Sequence, residues 1–225
     1  MKQLNTNSKA KKTAIVIGAT GLIGAELVDL LVLEEQVEKV ITITRRPVEY
    51  ANKKIENHVI DFTDMTKSVH LFKGDWLFSC LGTTAKIAGS IQAQRIVDLD
   101  YQLTAAELAI EQGVQRYFLV SSSGANATSF SQYLKMKGEL EVKIKALGFA
   151  QTVIFQPSLL LGEREHSRLA EGLASKIMPT LCKLPGLRHY RPIKGREVAQ
   201  KMVCEATKPV RQKLITFKLD EVFPT

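Results

Sequence analysis

The stretch Thr13-Ala14-Ile15-Val16-Ile17-Gly18-Ala19-Thr20-Gly21-Leu22-Ile23-Gly24 constrains this chain more than any other. Five small or β-branched residues predict a strand apolar on both faces, as a strand inside a parallel sheet must be. Three glycines at three-residue spacing follow it. Leu27, Leu30, Leu31 and Leu33 then recur at helical spacing, predicting a helix over Leu22–Leu33. A strand, a bare glycine turn and a helix start in direct succession suit a pyrophosphate site. Gly18 permits the tight turn, Gly21 lets the backbone approach the phosphates, and Gly24 lets the helix pack on the sheet. Thr20, Leu22 and Ile23 complete the loop, and the helix N-terminus offers free amides to an anion.

Short β-rich runs alternate with helical patterns along the rest of the chain, the signature of a doubly wound α/β fold. Further strands are expected at Val40–Thr44, Ile55–Ile60, Trp76–Cys80, Tyr117–Val120 and Thr152–Phe155. Long helices are expected from Ile91 to Gln112 and from Gln132 to Leu147, closed by Gly113 and Gly148. After Pro157 the alternation loosens. Helices are read at Ser167–Leu184, broken near Pro179, and at Gly195–Ala206, with an added strand at Leu214–Leu219. Residues 1–12 read as a flexible basic tail and 13–225 as one Rossmann-type domain, in which 158–206 form a small C-terminal substrate lobe.

With 225 residues and 45% apolar content, the chain can build one large core. No apolar run approaches the ~20 residues of a membrane span. The N-terminus lacks the apolar region of a secretory signal, and looks short for an organelle-targeting one. Three scattered cysteines, Cys80, Cys182 and Cys204, suggest no disulfide framework and a reducing cytoplasm as the setting. The histidines are equally dispersed, so no metal site is expected. A net charge of +8 without a nucleic-acid motif reads as solvated lysines that favour an anionic cofactor. Nucleic-acid binding through Lys9, Lys11 and Lys12 fits the motifs poorly.

The end of the second strand bears on which dinucleotide binds. Folds that prefer NAD usually carry a carboxylate there for the ribose 2′-hydroxyl. Here the residues are Thr44-Arg45-Arg46. Two permanently charged guanidiniums suit a 2′-phosphate, so NADP(H) is expected, with NAD(H) as the alternative.

Several segments carry a wider resemblance. Besides the glycine loop they are Ser79-Cys80-Leu81-Gly82-Thr83-Thr84, Val97-Asp98-Leu99-Asp100-Tyr101, Gly113 to Ser122, Tyr133-Leu134-Lys135-Met136-Lys137-Gly138-Glu139 and Phe155-Gln156-Pro157-Ser158. From about Thr13 to Ala206 the chain resembles the extended and atypical NAD(P)-binding branch of the short-chain dehydrogenase/reductase superfamily, which includes small epimerase/dehydratase-like proteins.

In that family a Tyr-x-x-x-Lys pair on the helix after the fifth strand does the chemistry. The spacing occurs at Tyr50/Lys54, Tyr133/Lys137 and Tyr190/Lys194, and only the second pair stands in that place. A nearby ammonium favours the phenolate of a tyrosine whose free pKa is about 10. The resemblance therefore makes Tyr133 the acid/base, and Lys137 its partner and a ligand of the nicotinamide ribose. Ser122 holds the substrate oxygen, with Ser123 as the alternative. It also implies that Asp61 and Phe62 flank the adenine, that Cys80, Leu81 and Gly82 pass under the adenosine ribose, and that Pro157 and Ser158 lie near the carboxamide. Cys80 itself reads as a small buried hydrophobe.

The C-terminal lobe is shorter than in sugar-nucleotide epimerases and dehydratases, which favours a small carbonyl or alcohol substrate over that chemistry. The leading expectation is an NADP(H)-dependent oxidoreductase, monomeric or homodimeric. The alternative is a catalytically quiet NADP(H)-binding sensor that regulates a protein partner.

Overall fold

The computed structural model describes residues 11–161 and 190–224. The expected helix at Ser167–Leu184, the turn at Pro185-Gly186, Cys182, His166, His189 and Lys9 lie outside the described residues. Seven parallel strands form the main sheet: β1 (Lys12–Ile17), β2 (Val37–Thr44), β3 (Ile55–Val59), β4 (Trp76–Ser79), β5 (Arg116–Val120), β6 (Gln151–Gln156) and β9 (Leu214–Lys218). Their spatial order is β3-β2-β1-β4-β5-β6-β9. The order reverses between β1 and β4, whose register pairs Ile17 with Ser79, and a doubly wound sheet opens its ligand crevice at such a point. A second, two-stranded parallel sheet pairs β7 (Leu160–Leu161) with β8 (Ile193–Lys194).

Side chains alternate along each strand into two apolar layers. Ala14, Val16, Phe78, Phe118, Val153 and Phe155 face α1 (Gly24–Leu31) and α6 (Gly195–Thr207). Ile15, Ile17, Leu77, Tyr117, Leu119 and Ile154 face α4 (Tyr101–Glu111), α5 (Gln132–Leu147) and a 3-10 segment, Phe62–Phe72. Both faces are therefore dry, which is why the strands read as continuous apolar runs. The rings of Phe78 and Phe118 stack at 4.6 Å across neighbouring strands.

Several expectations are corrected here. Lys12 belongs to β1 and pairs with Asp75 at 2.8 Å, while Lys11 Nζ donates to the Glu35 carbonyl, so these two lysines are not a free tail. The single helix expected at Ile91–Gln112 is α3 (Ile91–Arg95), a π-helical turn (Ile96–Asp100) and α4, with the extra residue of the π turn shifting the helix face. A short α2 (Ala85–Ala88), unforeseen, precedes them. The stretch 158–206 also divides. Val198, Ala199, Met202, Val203 and Ala206 put α6 into the main core, so this helix is a wall of the Rossmann body rather than part of a lobe. Among the described residues no helix is long and apolar enough to cross a membrane.

Candidate active site

The glycine turn leaves β1 at the crevice. Gly18 has φ +78°, and a Cβ there would lie 2.5 Å from the carbonyl carbon and oxygen of Cys80, so the turns after β1 and β4 press together. A Cβ on Gly24 would lie 2.1 Å from the Gly18 oxygen, which is the close helix-to-strand approach expected of it. Gly21 stands in a different way. Its backbone is not left-handed, and a Cβ would meet the Gly18 oxygen at 3.3 Å, so only the space above the loop demands glycine there. No side chain caps α1 at Ile23, and although the Ala25 amide is taken by the Gly21 carbonyl, the positive end of the helix faces the turn. Bare backbone and an uncapped helix start fit a pyrophosphate.

Arg45 and Arg46 are exposed at the end of β2. Their turn is pinned from below: the Asn57 amide donates to the hydroxyls of Thr42 and Thr44, each at 2.9 Å, and Thr44 Oγ1 donates to the Arg46 carbonyl. At the end of β3, Asp61 is exposed and accepts the Thr63 amide at 2.9 Å, a bond that holds its carboxyl below the usual range. The Phe62 ring is buried in the core against Tyr101, 5.6 Å between centroids. It has no face to offer an adenine, so any contact at this position is by backbone.

A cleft of about 590 Å³ lies at the C-terminal edge of the sheet. It collects Leu22 from the glycine loop, Ser122 from the end of β5, Tyr133 from the first turn of α5, and Pro157 and Ser158 after β6. Residues 120 to 161 are widely separated in sequence from Leu22, and the parallel sheet brings them together because every strand ends at this edge. Of the two other Tyr-x-x-x-Lys pairs, neither lines it.

The serines divide by their partners. Ser121 Oγ is buried and donates to Glu141 at 2.5 Å. Ser122 Oγ has only a long contact, 3.4 Å, to the Ser123 carbonyl, so its hydroxyl is available to a substrate. Glu141 is 5% exposed and also accepts the Gln156 amide at 2.7 Å, so it ties α5 to the ends of β5 and β6.

Lys137 is 3% exposed and lies behind the cleft wall. Its Nζ stands 3.2 Å from Oδ1 of Asp98, which is fully buried in the π-helical turn and makes no other contact through that oxygen. The second oxygen accepts the Thr83 amide at 3.4 Å. A buried ammonium and carboxylate stabilise each other only while both are present. Cys80 lies near this pair, and burial pushes its thiol up to about 12, as suits a structural cysteine.

Asp98 and Glu141 carry no role in the sequence reading. Asp98 stands in a segment that supports the resemblance, but its partner is remote in sequence. Glu141 had a local signal, since Tyr133, Lys137 and Glu141 follow one another at four-residue spacing on one helix stripe. Thr83, Thr84 and Gln94 also line the cleft, and Gln94 holds the loop by donating to the Thr83 carbonyl at 3.1 Å. Among the described residues, no cluster of three His, Cys, Asp or Glu could hold a metal ion.

Sheet order, glycine turn and crevice together define a dinucleotide-binding Rossmann protein. A family model described as NAD(P)H-binding matches residues 18–176. The mitochondrial protein FMP52 of Debaryomyces hansenii is 35% identical over 211 residues, 89% of this chain and 90% of that protein. Rat HTATIP2 is 37% identical over 174 residues, 76% of this chain and 72% of that protein. Among solved structures, MoeE5 with UDP-glucuronic acid and NAD superposes with a TM-score of 0.71 at 15% identity, over 92% of this chain and 76% of that one. At that identity the likeness establishes the fold alone. The chain belongs to this NAD(P)H-binding family and is similar along most of its length to FMP52 and HTATIP2.

One expectation falls here. Four fungal relatives are named as mitochondrial, which overturns the cytoplasmic assignment. That assignment rested on scattered cysteines, and an absent disulfide framework does not tell one reducing compartment from another.

Proposed function

We propose that the chain is an NADP(H)-dependent oxidoreductase of a small carbonyl or alcohol, working in mitochondria as its fungal relatives' names indicate. The observation that carries this reading is that Ser122 and Tyr133 line one cleft, with the buried Lys137, one helical turn from Tyr133, paired to Asp98. When bound, the nicotinamide supplies a hydride to the carbonyl carbon, or takes one from the alcohol. Tyr133 gives the proton to the carbonyl oxygen, which Ser122 orients by a hydrogen bond. The Lys137 ammonium favours the phenolate left behind, and Asp98 fixes the position of that ammonium. The amides of α1 hold the pyrophosphate, while Arg45 and Arg46 take the 2′-phosphate. A sensor that only reports cofactor occupancy has no use for a free serine and a phenol sharing a cleft.

The test is NADPH oxidation with a panel of aldehydes and ketones. Tyr133→Phe removes only the hydroxyl of a half-open residue, so turnover should fall by about 10²–10⁴ while NADPH affinity holds. Equal turnover by the variant rejects Tyr133 as the acid. Tight NADPH binding without turnover of any carbonyl rejects the enzyme reading. Fractionation of cells expressing the full chain checks the compartment, and recovery in the cytosolic fraction overturns it.

A further inference from the structure

Between α3 and α4 the π-helical turn Ile96–Asp100 lengthens the backbone step, so that the Tyr101 amide reaches back five residues to the Ile96 carbonyl. Such turns are rare and cluster at functional sites. An irregular backbone persists only where its surroundings over-determine it. Here two fully buried polar side chains supply that constraint. The longer step displaces amides from the carbonyls they would meet four residues back, and Gln102 brings a further donor: its Nε2 donates to the Asp98 carbonyl at 2.8 Å. At its other end Gln102 Oε1 accepts the Ser79 hydroxyl at 2.7 Å. A carbonyl can only accept, so the orientation of the Gln102 amide is fixed.

These contacts run from the middle of the sheet to Lys137. Ser79 ends β4 in register with Ile17 of β1 and Leu119 of β5, which gives Gln102 a firm seat. Gln102 then holds the main chain at Asp98, whose buried carboxylate meets Lys137 Nζ at 3.2 Å and the Thr83 amide at 3.4 Å. Neither Ser79 nor Gln102 lines the cleft, so whatever they contribute to it passes through Asp98. Packing alone does not call for them. A leucine or methionine would fill the space of Gln102 without polar atoms that must find partners out of water. Absorbing the extra residue of the π turn would rotate Asp98 about the helix axis by roughly one residue step, about 100°, and take it off Lys137.

Resting on the reading of Lys137 as a ligand of the nicotinamide ribose and partner of Tyr133, we propose that Gln102, seated on Ser79, is a positioning residue for that lysine. It holds the π-helical turn in the register that sets Asp98 against the Lys137 ammonium. In doing so it fixes where the ammonium stands relative to Tyr133 and the ribose, although it touches neither.

The test reads binding first, so that it does not depend on turnover. The full-length protein is titrated by calorimetry with NADPH and with adenosine 2′,5′-bisphosphate, which carries the adenine end of the cofactor and no nicotinamide ribose. Gln102→Met keeps the length of the side chain and removes both polar contacts. It should weaken NADPH at least about fivefold and the bisphosphate by less than about twofold. Lys137→Met should weaken NADPH at least about tenfold, the loss of a hydrogen bond from a charged group. The double variant should fall no more than about twofold below Lys137→Met, because a positioning residue then has nothing left to place. A Gln102 that only supports the fold gives either no loss or the same loss whether or not Lys137 is present, and either result overturns the inference. So does undiminished NADPH affinity in Lys137→Met. If Gln102→Met loses the bisphosphate as well, its fold has failed, and Ser79→Ala carries the same comparison. That variant removes only the hydroxyl under Gln102 and should weaken NADPH at least about threefold, and full NADPH affinity in it overturns the inference. Carbonyl reduction is measured in parallel. If the cofactor losses follow the expected pattern while wild type reduces no carbonyl, the positioning stands and the oxidoreductase reading falls. If Gln102→Met reduces carbonyls and binds NADPH as wild type does, the oxidoreductase reading stands and the inference falls.

Discussion

Arg45 and Arg46 stand exposed on a turn that Asn57 and Thr44 hold in place, so their charge can be removed without disturbing the sheet. Replacing both by Ala should weaken NADPH more than NADH by about 1.5–3 kcal/mol, the loss of a hydrogen bond to a charged group. That is at least about tenfold in the ratio of dissociation constants, read by fluorescence titration with each cofactor. Equal weakening of both would assign the arginines to general attraction. The glycines act at the same scale, and their spacing was legible in the sequence. Close packing at Gly24 follows from the motif, because its contacts with Gly18 and Ala19 lie within the strand–turn–helix unit that spells it, whereas the approach of Cys80 to Gly18 comes from the turn after β4. The buried ring of Phe62 depends on Tyr101, far along the chain, and no local pattern reports it.

Among the elements, the parallel strands and α5 were the most legible. Periodicity alone marked them, since strands buried on both faces and a helix stopped by Gly148 leave plain local signals. What the pattern left out was placement. Periodicity shows that Gly195–Thr207 is a helix, but not that its apolar stripe meets α1 across the main core. One side chain largely secures that placement. Arg116, 7% exposed at the start of β5, donates from Nη1 to the Ala206 carbonyl at 2.5 Å, from Nη2 to the Glu205 carbonyl at 2.7 Å and from Nε to Gln151. It thus satisfies the last carbonyls of α6, which would otherwise face the interior unpaired. Arg116→Met keeps much of the volume and strands those acceptors, so urea denaturation should show a loss of at least about 2 kcal/mol. Arg116→Lys should rescue little, because an ammonium cannot fork to two carbonyls and an amide at once. A loss under half a kcal/mol for Arg116→Met would mean that water caps α6 as well as the guanidinium does.

For the whole molecule, burial sets how stability responds to alkali. Burial pushes the Cys80 thiol from an ordinary 9.0 up to about 12, and raises the Tyr117 phenol as well. Both stay protonated in the fold and ionise more readily once it opens, so the native state holds more protons. Their contribution is whole below about pH 9 and is lost as pH climbs toward 12. Urea midpoints should therefore be level from pH 7 to 8.5 and fall above it, less steeply for Cys80→Ala. A wild-type midpoint unchanged at pH 10.5 would contradict the burial of these groups. The pairing of β7 with β8 has a different reach. Leu160 and Leu161 are register partners of Ile193 and Lys194, so two short strands remote in sequence meet beside cleft-lining Leu159 and Leu160. The pairing fixes both ends of the intervening sequence, and doubling the length of a closed segment costs only about 0.6 kcal/mol. Changing the number of residues between Leu161 and Ile193 should therefore leave the sheet, the glycine turn and the Tyr133–Lys137 stripe where they are, because none of their contacts depends on that length.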